Sequence, residues 1–224
     1  METEDQSRKA LLESSIGGEA GEQTAIGLLR GLVIRTQRLT LRRPAVTDAP
    51  AIAELADNRR IAEMLVGMPH PYRLADAIDW IEDPVPDGGQ KHVMTIDDDG
   101  RDRVVGVATL DYRRGARLPT LGCWIGEAYW GRGYATEAAH AVVDYAFLHQ
   151  RHERLSFTCR VTNMAGRALI EKCGFQPVAQ ELCPSAYYRA VVPVDRFILD
   201  RRTWDGLRRW GPLRVAAGAE GRDD

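Results

Sequence analysis

The stretch from Leu121 to Ala139, LGCWIGEAYWGRGYATEAA, constrains the fold more than any other part of the chain. In its first part Leu121, Cys123 and Ile125 alternate against Trp124, the two-residue period of a strand. Beyond it Ala135, Ala138, Ala139, Val142, Val143, Ala146 and Phe147 recur at helical spacing, so one whole face of a long helix is core. Between strand and helix stand Gly131 and Gly133, which leave the backbone uncrowded where the first N–H groups of the helix can converge on an anion. A nucleotide-binding lysine loop is excluded, because Gly133 is followed by Tyr134 and Ala135. The dinucleotide fingerprint is excluded too, because Thr136 stands where its third glycine or alanine belongs. The glycines taken alone fit a plain turn as well as an anion site.

Strand and helix signals alternate along the rest of the chain. Leu39 and Leu41 mark a short strand, Pro44 to Asp48 leads into a helix over 49–56, and more helix is expected to about Met68. His70, Pro71 and Tyr72 interrupt it, and Ala75, Ile78 and Ile81 resume a helical face before Pro84. Residues 91–96 and 104–110 read as a hairpin about the turn Asp97 to Gly100. Leu155, Phe157, Cys159 and Val161 form a further alternating strand. Asn163 caps a helix whose inner face is expected to be Ala165, Ala168, Leu169 and Cys173, with Gly174 and Phe175 as its stop. Strands near 176–181 and 191–199 complete an α/β pattern of the mixed α+β kind. With 224 residues, 44% hydrophobic, the chain holds one such domain. The expected division is a flexible leader over 1–33, the domain over 34–200 and a C-terminal extension over 201–224. The extension mixes Trp204 and Trp210 with arginines and is expected to be a packed or frayed terminal helix.

A formal net charge of -2 provides no positive field for nucleic acid or anionic membrane, so neither is an expected partner. The four cysteines, Cys123, Cys159, Cys173 and Cys183, form no C-x-x-C pair and have no histidine at ligand spacing, so reduced thiols and no metal are expected. No apolar run is long enough to span a bilayer and METEDQ is acidic where a signal peptide is basic, which places the protein in the cytoplasm. Monomer and homodimer remain equally open.

The string WGRGYATEA resembles the acetyl-coenzyme A pyrophosphate loop of the GNAT superfamily of N-acetyltransferases, and N-x-x-x-x-x-L-I-E-K-C-G-F from Asn163 to Phe175 resembles a later helix of the same family. The opening T-x-R-L-x-L-R of Thr36 to Arg42 and the pair Pro71, Tyr72 resemble the RimJ/RimL branch. The resemblance implies a GNAT fold, a largely antiparallel sheet that splays where the cofactor enters, with helices on both faces. It implies acetyl-coenzyme A as co-substrate, its pyrophosphate on the backbone of Gly131, Arg132, Gly133, Tyr134, Ala135 and Thr136. Its pantetheine arm would pair with Cys123 and Ile125, with Asn163 beside the arm. The Cys123 amide would face the thioester carbonyl as a one-donor oxyanion site, and His70 and Tyr72 would flank the acceptor. Each has an ordinary alternative: Asn163 as a cap, Arg132 as a solvated charge, Cys123 as a small core residue.

Two positions depart from the family pattern. Thr120 stands where relatives carry a glutamate suited to act as base, and Gly166 where they carry a serine suited to protonate the leaving thiolate. His70, His92, Asp111 and Glu127 are the replacement bases to weigh. The implied reaction is direct acetyl transfer to a primary amine. The acceptor is a protein N-terminal α-amine or a small amine such as an amino acid, a polyamine or a drug, and a catalytically silent acyl-coenzyme A binding module is the alternative of a different class.

Overall fold

The computed structural model describes residues 33–85, 89–111 and 118–210. Eight strands, β1 (Val33–Arg35), β2 (Thr40–Arg42), β3 (Gln90–Asp98), β4 (Arg101–Asp111), β5 (Thr120–Ile125), β6 (Arg154–Arg160), β7 (Gln176–Ser185) and β8 (Ala190–Asp200), lie in the order β1-β2-β3-β4-β5-β6-β8-β7. Sequential strands pair antiparallel through β3 and β4, whose hairpin closes on Asp99 and Gly100, both at positive φ, between the paired residues Asp98 and Arg101. The exception is β5 with β6, which run parallel because α4 (Tyr134–Leu148 below) carries the chain back across the sheet.

The central strands are buried on both faces. On one side α1 (Ala49–Ala56) and α3 (Leu74–Glu82) set Ala49, Ile52 and Ala77 against Val93, Val104 and Val107, with Trp124 packed alongside. On the other, α4 (Tyr134–Leu148) buries Ala138, Ala139, Ala141, Val142, Val143, Ala146 and Phe147 as it packs on β4 and β5. The long helix thus follows its apolar periodicity closely.

Three expectations need correction. The helix expected to continue to Met68 is only α2 (Arg59–Ala62): Asn58 breaks α1 and caps a single new turn by accepting from the amides of Arg60 and Ile61. Ile61 and Ala62 in that turn of helix and Met68 in the irregular segment beyond it are buried together, so their apolar spacing imitates one continuous helix. In α5 (Met164–Lys172) the inward residues are Ile170 and Cys173, whereas Ala165 and Ala168 are exposed. Alanine has too little surface to set a helix's rotation, and the larger Ile170 takes the buried seat. The last two strands extend into a long hairpin whose tip, 185–190, sequence patterning had not reached.

The terminal helix α6 (Arg201–Trp210) packs back on the domain. Trp204 is buried, stacks on Phe147 and donates Nε1–H to Asp144 Oδ1 at 2.7 Å. Arg201 donates to the carbonyls of Phe147 and His152, both at 2.8 Å, covering the carboxyl end of α4. The leader, apart from Val33, lies outside the described residues.

Candidate functional site

The site begins where β5 and β6 stop pairing. Their parallel ladder holds only Thr120 with Ser156 and Leu121 with Phe157, yet β5 runs on to Ile125 and β6 to Arg160. The Gly126 amide donates to Val105 O across β4, and the Ser156 amide donates to Pro119 O across β6, both at 2.9 Å. Strand alternation therefore turns the backbone groups of even-numbered β5 residues toward β4 and those of Leu121, Cys123 and Ile125 toward β6. Beyond Leu121 these groups face a wedge that has opened. Trp130 reaches into its mouth, where its indole Nε1–H donates to Ile125 O at 2.7 Å.

The glycine turn lies just past that mouth. Gly131 at φ +74 and Gly133 at φ +80 adopt the left-handed region, Gly133 as the N-cap of α4. The first amides of α4, at Tyr134, Ala135 and Thr136, emerge here at the positive end of a long helix. A clamp that sequence reasoning had left without a role holds the turn from outside. Arg38 donates from Nε to Glu137 Oε2 and from NH1 to Arg132 O, both at 2.7 Å, and its amide donates to Glu137 Oε1 at 2.8 Å. Thr36 Oγ1 donates to the same carboxylate at 2.5 Å. Burial acts to raise the Glu137 carboxyl, but the bonds from Thr36 and Arg38 prevail and hold it below the ordinary range. Arg132 turns its guanidinium away, donating to Ala128 O at 3.2 Å over the ring of Tyr129. The only sign of the clamp in sequence is an arginine and an acidic first-turn residue far apart in the chain.

The opposite wall is built from the 57–72 segment and the β7–β8 tip. Asn163 caps α5 through the Gly166 amide at 2.8 Å and donates Nδ2–H to Met64 O at 3.3 Å. Arg160, at the end of β6, donates to Glu63 O and to Tyr188 Oη. Tyr187 donates its hydroxyl to Glu63 at 3.0 Å and packs, with Tyr72 and Trp124, on the cluster of Ala56, Ile61, Ala62 and Met68. The Tyr72 amide donates to Asp57 Oδ1 at 2.9 Å, and His70 Nδ1 lies 3.2 Å from the same oxygen. Tyr187 and Tyr188 were not singled out from sequence, since tyrosines in a turn carry no periodic signal.

The acid–base groups sort by environment. Thr120 and Ser156 share a buried hydroxyl–hydroxyl bond of 2.8 Å, so the position of the missing glutamate is a polar rivet between β5 and β6. A Cβ at Gly166 would lie 2.8 Å from Asn163 Nδ2, so the glycine makes room for the cap. Burial holds His92, inside β3, down to about 4, and raises Tyr72 to about 12 and the Cys123 thiol, beside Cys173, to about 12. Glu127 is held low by Asn58 and then Arg60, and Glu63 by Arg59 and then Tyr187. Asp111 ends β4 directly opposite Thr120. Among the described residues no group of three His, Cys, Asp or Glu is placed to hold a metal, and no helix is long and apolar enough to cross a membrane.

Residues 38–176 match the family model of the acetyltransferase (GNAT) domain. The chain is 25% identical over 146 residues to an uncharacterized N-acetyltransferase, p20, of Bacillus licheniformis, a match covering 63% of this chain and 80% of that one. Its fold is similar to that of an acetyltransferase (GNAT family) from Bacillus anthracis, with a TM-score of 0.65 at 18% identity, covering 76% of this chain and 99% of the other. It is also similar to RimL, a ribosomal L7/L12 α-N-protein acetyltransferase in complex with coenzyme A, with a TM-score of 0.61 at 14% identity, covering 75% and 98%.

Proposed function

The chain belongs to the GNAT acetyltransferase family, and on that premise we propose that it moves an acetyl group from acetyl-coenzyme A to a primary amine by direct attack, with a protein N-terminal α-amine as the acceptor. The wedge carries this reading: β5 presents Cys123 and Ile125 backbone groups to a gap where a strand-like pantetheine arm pairs as an extra strand. The left-handed glycine turn and the first amides of α4, from Gly131 to Thr136, suit a pyrophosphate, and no side chain crowds Gly131. Acetyl-coenzyme A supplies the activated acyl group; the protein binds, aligns and polarises. The Cys123 amide donates to the thioester oxygen, where negative charge develops during attack. Its thiol, raised to about 12, takes no part as a nucleophile. Asn163 stays a cap and a tie to Met64, bordering the arm.

The state of the carboxylates supports this acceptor class. With Thr120 bonded to Ser156, and with Glu63 and Glu127 each held by an arginine, the wall favours an amine that sheds its proton easily. An α-amine with a pKa near 8 is roughly one tenth neutral at pH 7, whereas a lysine near 10.4 is below about one part in a thousand. Similarity to RimL supports the same class.

Free thiol release from acetyl-coenzyme A, followed with peptides beside amino acids, polyamines and other small amines, tests the reading, with Gly133→Trp as control. Release that needs a peptide α-amine and vanishes in the control is the expected outcome. Release with small amines alone reassigns the acceptor, and cofactor binding without release identifies a silent acyl-coenzyme A module.

A further inference from the structure

We propose that His70 is the general base of this enzyme and that Asp57 positions it, an assignment that rests on the acetyl-transfer reading above. The imidazole Nδ1 is buried and lies 3.2 Å from Asp57 Oδ1, close enough for an ion pair but off the line of a straight hydrogen bond. The same oxygen is fixed by the Tyr72 amide, so the carboxylate is anchored before the ring turns toward it. Nδ1 is the ring nitrogen beside Asp57, so once the ring turns to complete that contact Nε2 is the atom left to take a proton, and Asp57 stabilises the imidazolium that results. The ring sits with its centroid 6.2 Å from that of Tyr187, which shares the cluster beside α2 with Trp124, the residue between the two wedge-facing amides of β5.

The neighbouring groups are unsuited to the task. Tyr72 is raised to about 12 and therefore keeps its proton, and His92 is enclosed in the sheet. Glu63 is engaged by Arg59 and Tyr187, Glu127 by Asn58 and Arg60, and Thr120 by Ser156. The groups that face or adjoin the imidazole are Asp57 after α1, Tyr72 before α3 and Tyr187 on the β7–β8 tip, with Glu63 behind Tyr187.

The chemistry balances simply. Nε2 takes one proton from the acceptor ammonium; the freed nitrogen lone pair forms the N–C bond at the thioester carbonyl; the C–S bond breaks with its electron pair on sulfur. The nitrogen's second proton ends on the departing thiolate, which leaves as the thiol, and His70 returns its proton to solvent.

The test is steady-state kinetics from pH 5.5 to 9 with the full chain, acetyl-coenzyme A and its best amine, comparing wild type, His70→Gln, Asp57→Asn and Asp111→Asn, with cofactor affinity and melting temperature measured on each. His70→Gln is expected to lower kcat by about 100-fold or more at pH 7 while cofactor affinity stays within twofold. It should also flatten the fall of kcat/KM toward acid pH. Asp57→Asn is expected to lower kcat by roughly tenfold and to change that fall. A His70→Gln enzyme within threefold of wild type with an unchanged pH profile overturns the proposal, as does a loss confined to Asp111→Asn. A wild type that binds acetyl-coenzyme A but turns over with no amine removes the transferase reading itself, a result distinct from either.

Discussion

Removing the Arg38 side chain separates two jobs, holding the fold through its bonds to Glu137 and Arg132 O and, on the proposed reading, presetting the glycine turn for the cofactor. Arg38→Ala deletes the Nε and NH2 contacts to Glu137 and the NH1 bond to Arg132 O, each at 2.7 Å. A hydrogen bond to a charged group is worth about 1.5–3 kcal/mol when well enclosed, but an exposed ion pair only about 0–1. The Arg38 side chain is 45% exposed and that of Glu137 16%, so the loss belongs between these ranges, at about 1–2 kcal/mol. For a domain of this size that is a fall of roughly 3–6 °C in melting temperature. Glu137→Ala should cost more, about 2–3 kcal/mol, because it also strips the acceptor from Thr36 Oγ1 and the Arg38 amide and a favourable charge from the first turn of α4. The double variant should show about 1 kcal/mol of coupling. Once Arg132 O is released, the glycine turn must be ordered by the cofactor, so acetyl-coenzyme A affinity should drop about tenfold, equivalent to about 1.4 kcal/mol. Denaturant titration and calorimetric binding on the four proteins measure both. Unchanged cofactor affinity in a destabilised Arg38→Ala protein would refute the presetting role and leave the clamp purely structural.

Gly133→Ala and Gly131→Ala should differ in severity. Both carry an alanine at positive φ, costing about 1–2 kcal/mol, but only the former also sets a Cβ 3.3 Å from Arg38 NH2, so cofactor binding by calorimetry should weaken more for Gly133→Ala. Gly166→Ser should not restore rate: its Cβ crowds Asn163, and loss of that cap should cost about 0.5–2 kcal/mol in a thermal melt with kcat unimproved. His92 should make the protein acid-sensitive. Its folded pKa is lowered by burial from 6.5 to about 4, so the unfolded chain binds the proton first; stability is full above pH 6.5 and falls through the window down to pH 4, by roughly 2 kcal/mol at pH 5. Urea titrations at pH 7, 6 and 5 should show that slope in wild type and a flatter one in His92→Leu.

The strand, turn and helix of 121–148 were legible because each obeys a strong local rule: alternation, positive φ at glycine, and an apolar stripe too regular for any other element. Which β5 amides face the wedge is likewise decided by strand parity and a single register. What local patterning misread were places where a cap or a contact distant in sequence decides. Asn58 turned a continuous apolar period into a one-turn helix, and Ile170 rather than the alanines set the rotation of α5. The clamp of Arg38 on Glu137 was illegible for the same reason, as both residues are ordinary charges until the fold brings the β1–β2 connection beside the first turn of α4.

The acid–base chemistry shows the limit most sharply. Sequence shows a threonine at position 120 where the resemblance implies a carboxylate, but not that the threonine is spoken for by Ser156 on the next strand. Nor does it reveal that Asp57 stands beside His70, thirteen positions away, with its oxygen already fixed by the Tyr72 amide two residues further on. A lone histidine has no periodicity and no spacing rule. Its meaning lies in which carboxylate faces one nitrogen and what space faces the other, and that is a property of the assembled wall. On the proposed reading, a threonine at position 120 need not mean loss of catalysis, because His70 and Asp57 belong to elements other than β5 and can supply a proton acceptor without disturbing that strand.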